Sequence, residues 1–150
     1  MKMTHILKSA ALVALGLALF SCSKKEELKE ARAVAASDIV KFSNERHPDV
    51  SFTEDFQFKL FVQTLNQEGL RYRLRGGEWK YLAPVRNPNA IDGEGAGDWT
   101  SSTFIHALGK KGLPSILYIQ PSVLEDCLME AQRVASESVS YIGAKGLIHH

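Results

Sequence analysis

The sequence alternates short apolar segments with longer amphipathic ones, and this pattern constrains the fold more than any other feature. Residues 38–42 and 59–64 are apolar and contain β-branched side chains, which predicts two buried strands. Residues 70–74 and 78–82 alternate with period two around residues 75–77, where two glycines permit the positive φ of a tight turn. Because strands that alternate with helices form parallel units, the sequence predicts an α/β domain with a mostly parallel sheet and one β-hairpin.

Three segments have the periodicity of amphipathic helices: residues 26–36, 98–111 and 121–142. In the second helix, the residues expected to face the core are Phe104, Ile105 and Leu108. In the third helix, the expected core stripe consists of Leu124, Cys127, Leu128, Ala131, Val134, Ala135, Ser138, Val139 and Ile142. Each of these apolar faces needs a partner surface, which the predicted sheet would supply.

The composition fits one soluble domain with a packed core. The chain has 150 residues, of which 45% are hydrophobic and 23% are charged, and its formal net charge is +1. No run of Lys or Arg exceeds two residues, so the charge pattern of a nucleic-acid-binding protein is lacking and no nucleic acid partner is expected. Cys22 and Cys127 belong to no Cys-x-x-Cys pair, so neither a disulfide framework nor a zinc site is indicated.

Two interpretations of residues 1–25 remain open. A charged start, an apolar run over residues 10–20 and a small residue before Cys22 resemble a bacterial lipoprotein signal, in which Cys22 becomes the lipidated first residue. The run is too short for a permanent transmembrane helix, which needs about 20 apolar residues. Alternatively, residues 6–21 form a helix and a buried strand, as a truncated unit of the same core. Under either interpretation, residues 26–150 form the domain.

Residues 92–98 form a stretch that residue propensity does not explain. Three glycines and an alanine precede the predicted helix, so the backbone N–H groups are not shielded by side chains. Consecutive amides at a helix N-terminus favour an anion, because unpaired donors and the helix dipole both attract negative charge. Asp98 either caps the helix or accepts a proton in a reaction at the bound anion. The pattern is neither Walker A nor a dinucleotide fingerprint, and an amide cradle beside a carboxylate suits phosphoryl transfer.

The sequence DGEGAGD of residues 92–98 resembles the D-T-x-G-A-G-D signature of PfkB-type carbohydrate kinases, which have the ribokinase-like fold. Residues 60–72 look like the family's strand, turn and hairpin, and residues 36–45 look like its preceding strand and the start of its Asn-x-x-Glu segment. Residues 131–144 are similar to its helix that closes over the nucleotide. The resemblance covers about residues 27–147 and only the C-terminal half of such a kinase. It implies a Rossmann-like, three-layer αβα architecture, here as a partial domain.

The resemblance implies a role for each residue that matches the family's motifs. Asp98 corresponds to the catalytic base that activates the sugar hydroxyl. The amides implied to form the anion hole for the transferring phosphoryl group are those of Gly95, Ala96 and Gly97. The residues implied to lie near ATP are Thr64 and Gly69 at its phosphates and ribose, and Ala135, Ser138 and Gly143 at its base. ATP and Mg²⁺ are the implied cofactors.

Three residues depart from the family's pattern. Gly93 stands where the family has Thr, and Asn66 stands where it has Gly. Arg46 falls at the position of the Glu in the Asn-x-x-Glu motif, whose carboxylate helps to organise Mg²⁺ through water. Asn44 or Glu45 could replace that carboxylate only in a shifted register, so the residues that would bind the metal are left unassigned.

The resemblance therefore implies ATP-dependent phosphorylation of a sugar or nucleoside hydroxyl by a truncated PfkB-type carbohydrate kinase. The family's N-terminal half, which supplies most sugar contacts and the lid, has no counterpart in this sequence. A complementary kinase half or a homo-oligomer is thus an expected partner, besides ATP and a sugar. The alternative is a catalytically inactive nucleotide-binding or interaction module. A cytoplasmic location is expected for a kinase, whereas lipidation of Cys22 would anchor the chain at a membrane.

Overall fold

The computed structural model describes residues 32–57, 59–112 and 118–149. The predicted signal-like segment, the alternative helix and strand over residues 6–21, and Cys22 all lie outside the described residues. Residues 32–36 are helical, which agrees with the end of the helix predicted over residues 26–36. Within the described ranges, none of the helices combines the length and the apolar character needed to cross a membrane.

Four strands form one sheet in the order β1-β2-β3-β4. The strands are β1 (Ile39–Ser43), β2 (Leu60–Thr64), β3 (Leu70–Leu74) and β4 (Lys80–Leu82). β1 and β2 are parallel, whereas β2 and β3, and β3 and β4, are antiparallel. The prediction of a mostly parallel sheet is therefore corrected to a mixed sheet for the described strands. The connection from β2 to β3 is too short for the crossover that a parallel pair requires.

The predicted hairpin is confirmed as β3 and β4. Arg75 and Gly76 have φ values of +51° and +71°, the left-handed conformation that a tight turn between antiparallel strands uses. Three 3-10 helices occupy other connections: Ser51–Asp55 between β1 and β2, Asn66–Glu68 between β2 and β3, and Gly146–His149 near the end of the chain.

Two long helices follow the sheet, α1 (Ala96–Lys110) and α2 (Pro121–Ser138). α1 begins before its predicted start at Asp98, and the prediction that Ile105 faces the core is wrong, since Ile105 is 56% exposed. The buried residues of α1 are Thr100, Phe104 and Ala107. Successive helical residues are rotated by about 100°, so Ile105 points away from the face that its neighbour Phe104 buries.

α2 ends at Ser138, short of its predicted end at Ile142, which is 83% exposed. The carbonyl oxygen of Val139 accepts hydrogen bonds from the amides of Ile91 and Asp92, at 2.8 and 3.1 Å. This tertiary pairing engages the carbonyl that a further helical turn would have used. The predicted stripe is otherwise confirmed at Leu124, Cys127, Leu128, Ala131, Ala135 and Ser138, which are all buried.

The core lies between one face of the sheet and the two long helices. Its members are Leu60, Val62, Leu70, Tyr72, Phe104, Ala107, Ile119, Leu124, Cys127, Leu128 and Ala131. On the opposite face, Phe61 packs edge-on against Phe52, with 5.8 Å between ring centroids, and Phe52 packs in turn against Phe42. The described sheet and long helices thus form two of the three predicted layers.

Candidate functional site

Asp98 lies in the first turn of α1, but it does not cap the helix. The N-cap is Gly95, whose φ of +79° is left-handed and which makes no side-chain capping bond. Asp98 is the third helical residue, its side chain is exposed, and no hydrogen bond engages its carboxylate within the described ranges. The capping interpretation is therefore excluded, and the carboxylate remains available to an incoming group.

Two of the three predicted anion-hole amides are available as donors. The N–H groups of Gly95 and Gly97 have no acceptor in the part of the chain that the structure describes, whereas the N–H of Ala96 lies 3.3 Å from the carbonyl oxygen of Gly93. The amide of Asp98 already donates to the carbonyl of Gly95 at 2.9 Å. Unpaired amides at a helix N-terminus, together with the helix dipole, attract an anion.

The three glycines of the glycine loop (residues 92–97) meet different surroundings. A Cβ on Gly95 would lie 2.6 Å from the Cβ of Ala144, so a side chain has no room there. A Cβ on Gly97 would lie 3.8 Å from Nζ of Lys41, which is an ordinary contact, and a Cβ on Gly93 would meet nothing within 4 Å. Packing therefore explains Gly95 alone, and at the other two positions the lack of a side chain leaves the backbone uncovered.

The segment that follows α2 fixes the position of the glycine loop. Asp92 accepts the amide of Glu94 on Oδ1 at 2.9 Å and the amide of Gly143 on Oδ2 at 2.8 Å. These two hydrogen bonds hold the pKa of Asp92 below its ordinary value. Nε1 of Trp99, on α1, donates to the carbonyl oxygen of Ala144 at 2.9 Å. Gly143, for which the resemblance implies a place near the base of ATP, thus contacts the glycine loop directly.

Lys41 also lies at this site, although no motif in the sequence identifies it. It pairs with Val62 in the parallel register of β1 and β2, and Val62 faces the long helices. Lys41 projects from the same face toward the start of α1, as its approach to Gly97 shows. Burial lowers the pKa of Lys41, while the negative charge of Asp98 raises it. The available signal was a single lysine within an otherwise apolar strand, and its partners are distant in sequence.

Thr64 and Asn44 lie together where β1 and β2 end. The amide of Asn44 donates to the carbonyl oxygen of Thr64 at 3.0 Å, and the hydroxyl of Thr64 lies 3.4 Å from the carbonyl oxygen of Phe42. Oδ1 of Asn44 is buried and has no hydrogen-bond partner among the residues described. Because ligands of open α/β sheets bind at the carboxyl ends of parallel strands, this edge belongs to the candidate site.

Asn66 retains a backbone conformation that glycine adopts readily. Its φ of +55° is left-handed, a region that Asn tolerates better than most side chains. Nδ2 of Asn66 donates to Oε1 of Glu45 at 2.8 Å, so the departure from glycine adds a contact without altering the turn. Gly69 has a φ of +92°, and a Cβ there would overlap the carbonyl oxygen of Leu82. Close packing is therefore sufficient to explain glycine at position 69.

Ala135 and Ser138 are enclosed by protein. They are 9% and 4% exposed, and the hydroxyl of Ser138 donates to the carbonyl oxygen of Ala135 at 2.8 Å. Their side chains consequently present little surface to a ligand, in contrast to Asp98 and the glycine loop.

The described ranges contain no group of three or more His, Cys, Asp or Glu residues arranged to hold a metal ion. A cleft of about 140 Å³ lies at the base of the hairpin, and none of the predicted site residues lines it. Its lining consists of Tyr72, Leu74, Arg75, Gly77, Glu78, Lys80 and Pro121. Sites for cofactor-sized ligands usually measure about 300–1,000 Å³, so this cleft is too small for a nucleotide.

No protein-family model matches the sequence, and neither does any curated protein. The fold, in contrast, is ribokinase-like and is shared with sugar and nucleoside kinases. A fructokinase from Vibrio cholerae O395, in its fructose, ADP and calcium ion bound form, matches 81% of this chain and 42% of its own, with a TM-score of 0.67 and 23% identity. Aminoimidazole riboside kinase from Salmonella enterica, complexed with aminoimidazole riboside and an ATP analog, matches 81% of this chain and 43% of its own, with a TM-score of 0.66 and 19% identity. A nucleoside kinase from Methanocaldococcus jannaschii matches 82% of this chain and 39% of its own, with a TM-score of 0.62 and 16% identity.

These similarities confirm the predicted fold class. At identities of 16% to 23% they show a shared fold alone. The chain spans 39% to 43% of the length of these three kinases, so it corresponds to part of such a protein.

Proposed function

We propose that this chain supplies the ATP-binding and phosphoryl-transfer part of a kinase that acts on a sugar or nucleoside hydroxyl. The observation that carries the proposal is the pair of unpaired amides, at Gly95 and Gly97, beside the exposed carboxylate of Asp98. The fold supports the same reaction class, because the solved structures that share it are a fructokinase, a riboside kinase and a nucleoside kinase.

In the proposed reaction, the amides of Gly95 and Gly97 bind oxygens of the transferring phosphoryl group while it moves between ATP and the acceptor. Asp98 accepts the proton of the attacking hydroxyl. Its place in the first helical turn puts base and donors at one end of α1. Removing one donor of this kind typically lowers kcat by roughly 10²- to 10³-fold, so the two amides would account for a large share of the rate.

Mg²⁺ fits this site as an ion that ATP brings with it. Asn44 has a buried Oδ1 without a partner among the described residues, and Glu45 is the next residue along the chain. These two residues would hold the ion together with phosphate oxygens, in keeping with the preference of Mg²⁺ for few protein ligands. When bound, Mg²⁺ would neutralise charge on the phosphates.

We also propose that the contacts to the sugar come from a complementary chain or a second copy of this one. The support is the span of 39% to 43% of the related kinases, which leaves most of such a protein to be supplied from elsewhere. The same span favours a second candidate function, a catalytically inactive nucleotide-binding module, because a site that does not enclose a sugar can still bind ATP.

We place the proposed kinase in the cytoplasm, and lipidation of Cys22 would instead anchor it at a membrane. The mass of the mature chain distinguishes the two. An intact Met1 agrees with a cytoplasmic protein, whereas a diacylated chain beginning at Cys22 contradicts it.

Calorimetric titration of the 150-residue chain with ATP, with and without Mg²⁺, tests the proposal. We expect saturable binding. Asp98→Asn should bind ATP at least as tightly as the wild type, since it removes a negative charge near the phosphates, but it should lose phosphoryl transfer to a panel of sugars and nucleosides. Asp126→Asn, the same change at an exposed position of α2, is the matched control and should alter neither property.

The outcomes separate the two candidate functions. No ATP binding by a protein that is folded by circular dichroism refutes both. Saturable binding without transfer, in the wild type and in the presence of Mg²⁺, supports the inactive module. Transfer that survives in Asp98→Asn contradicts the role of Asp98 as the base.

A further inference from the structure

Lys41 is half-buried and makes no hydrogen bond or ion pair with the residues that the structure describes. Lys59 shows how a half-buried lysine with a structural role is accommodated in the same sheet. Its Nζ donates to the carbonyl oxygens of Ala35 and Ser37 and lies 5.7 Å from the ring centroid of Phe56. Lys41 has no comparable acceptors, so its ammonium loses hydration without gaining a partner.

The surroundings of Lys41 make this arrangement more costly still. Its Nζ lies beside Gly97, in the first turn of α1, where the helix dipole and the unpaired amides are already positive. The charge of Asp98 acts on Lys41 through space, yet ammonium and carboxylate are not in contact. A cation, two free N–H donors and a general base therefore converge on the same end of α1 without pairing with one another.

From this placement we infer that Lys41 binds the transferring phosphoryl group of ATP, as the charged donor that completes the site formed by the amides of Gly95 and Gly97. The inference rests on the proposed function. An anionic phosphoryl oxygen would satisfy the unpaired ammonium and amides together, and it would then lie near Asp98, where the attacking hydroxyl loses its proton. Lys41 thereby provides contacts that AMP, which lacks the terminal phosphates, cannot use.

A purely structural role for Lys41 predicts different behaviour. If its only task were to pair with Asp98, Lys41→Met would change stability and leave nucleotide binding unaffected. If it binds the phosphoryl group, Lys41→Met removes a desolvated charge from the free protein. The variant should then be as stable as the wild type, or more stable, while its affinity for ATP falls.

The test compares ATP and AMP binding by calorimetry in the 150-residue wild type, Lys41→Met, Lys41→Arg and Lys110→Met. Lys110 lies in the last turn of α1, about 20 Å from Gly97, so Lys110→Met removes the same charge at the opposite end of the helix. We expect Lys41→Met to weaken ATP binding by roughly 10-fold or more and AMP binding by less than about twofold. Lys41→Arg should restore most of the ATP affinity, and Lys110→Met should match the wild type for both nucleotides.

Three results would overturn the inference. Equal ATP affinity in the wild type and Lys41→Met removes the role of Lys41 and leaves the proposed function intact. Equal losses for ATP and AMP mean that Lys41 acts on nucleotides in general rather than on the terminal phosphate. No ATP binding by the folded wild type removes the proposed function, and this inference with it.

Discussion

Replacing Gly95 by alanine tests how the glycine loop is built. The change adds one methyl group at a residue whose φ is +79°, in a position 2.6 Å from Cβ and 2.7 Å from Cα of Ala144. The left-handed conformation costs a non-glycine residue about 1–2 kcal/mol. Overpacking a close contact costs about 1–3 kcal/mol. We therefore expect Gly95→Ala to lower the free energy of unfolding by about 2–5 kcal/mol, a large part of the 5–15 kcal/mol typical of a domain.

Urea denaturation followed by circular dichroism measures this change as a lower midpoint at an unchanged slope. Gly112→Ala is the matched control, because Gly112 also has a left-handed φ, +62°, but nothing lies within 4 Å of its Cβ position. That control should cost only about 1–2 kcal/mol, the backbone part. Adding Ala144→Gly to Gly95→Ala should recover part of the loss, since it removes the nearest atom but leaves the Cα of residue 144 at 2.7 Å.

Equal losses in Gly95→Ala and Gly112→Ala would refute the reasoning. Backbone strain alone would then explain glycine at position 95, and the contact with residue 144 would not restrict the loop. A change of slope together with the midpoint would point to an altered denatured state and not to the contact itself.

Two further predictions concern pH. Burial and the hydrogen bond donated to Glu125 raise the pKa of Tyr72 above its ordinary value of 10.0, so the stabilisation from its neutral form is present below that value and lost as the pH rises beyond it. The fall in stability at alkaline pH, measured by urea denaturation from about pH 9 to pH 11, should be shallower in Tyr72→Phe, and an unchanged slope would contradict this. The pKa of Asp92 lies below its ordinary value of 3.8, so its stabilisation is present above that value and lost as the pH falls through the lowered pKa. Asp92→Asn should therefore be less stable than the wild type at pH 7 and should show a weaker acid dependence; identical curves for the two proteins would argue against the role of its two hydrogen bonds.

The hairpin could be predicted from sequence because its determinants are local. Period-two alternation and a turn at Arg75 and Gly76, both left-handed, act over few residues. The strands β1 and β2 were recognisable for the same reason. Their partners were not, since the parallel or antiparallel sense of a pair depends on the connection between strands, and the 3-10 turn at Asn66–Glu68 has no strong sequence signal.

The ends of the helices depend on contacts that the sequence does not display. Gly97 is a poor helix former, which favours a start at Asp98, yet α1 begins at Ala96, next to the packed N-cap Gly95. The apolar stripe of α2 continues to Ile142, but the carbonyl of Val139 pairs with the chain near Asp92 and the helix stops. In both cases tertiary contacts outweigh local preference.

The candidate site was predictable where it is contiguous and hidden where it is not. Residues 92–98 carry a recognisable pattern, which identified Asp98 and the amides of Gly95 and Gly97. Lys41 comes from β1, more than fifty positions earlier, and only folding brings it to Gly97. The same separation explains why Ala144 could not be foreseen as the neighbour of Gly95.

The hydrogen bonds between the glycine loop and residues 139–144 give these two segments a common local-unfolding equilibrium. Val139, Gly143 and Ala144 each supply a bond to the loop or to the first turn of α1. Fraying of the chain after α2 would therefore release the amides at the start of α1 as well, and both should exchange their protons with solvent as one cooperative unit. A nucleotide bound at the loop would slow that exchange in residues 139–144, so that ligand binding would be reported by protection of a segment near the end of the chain.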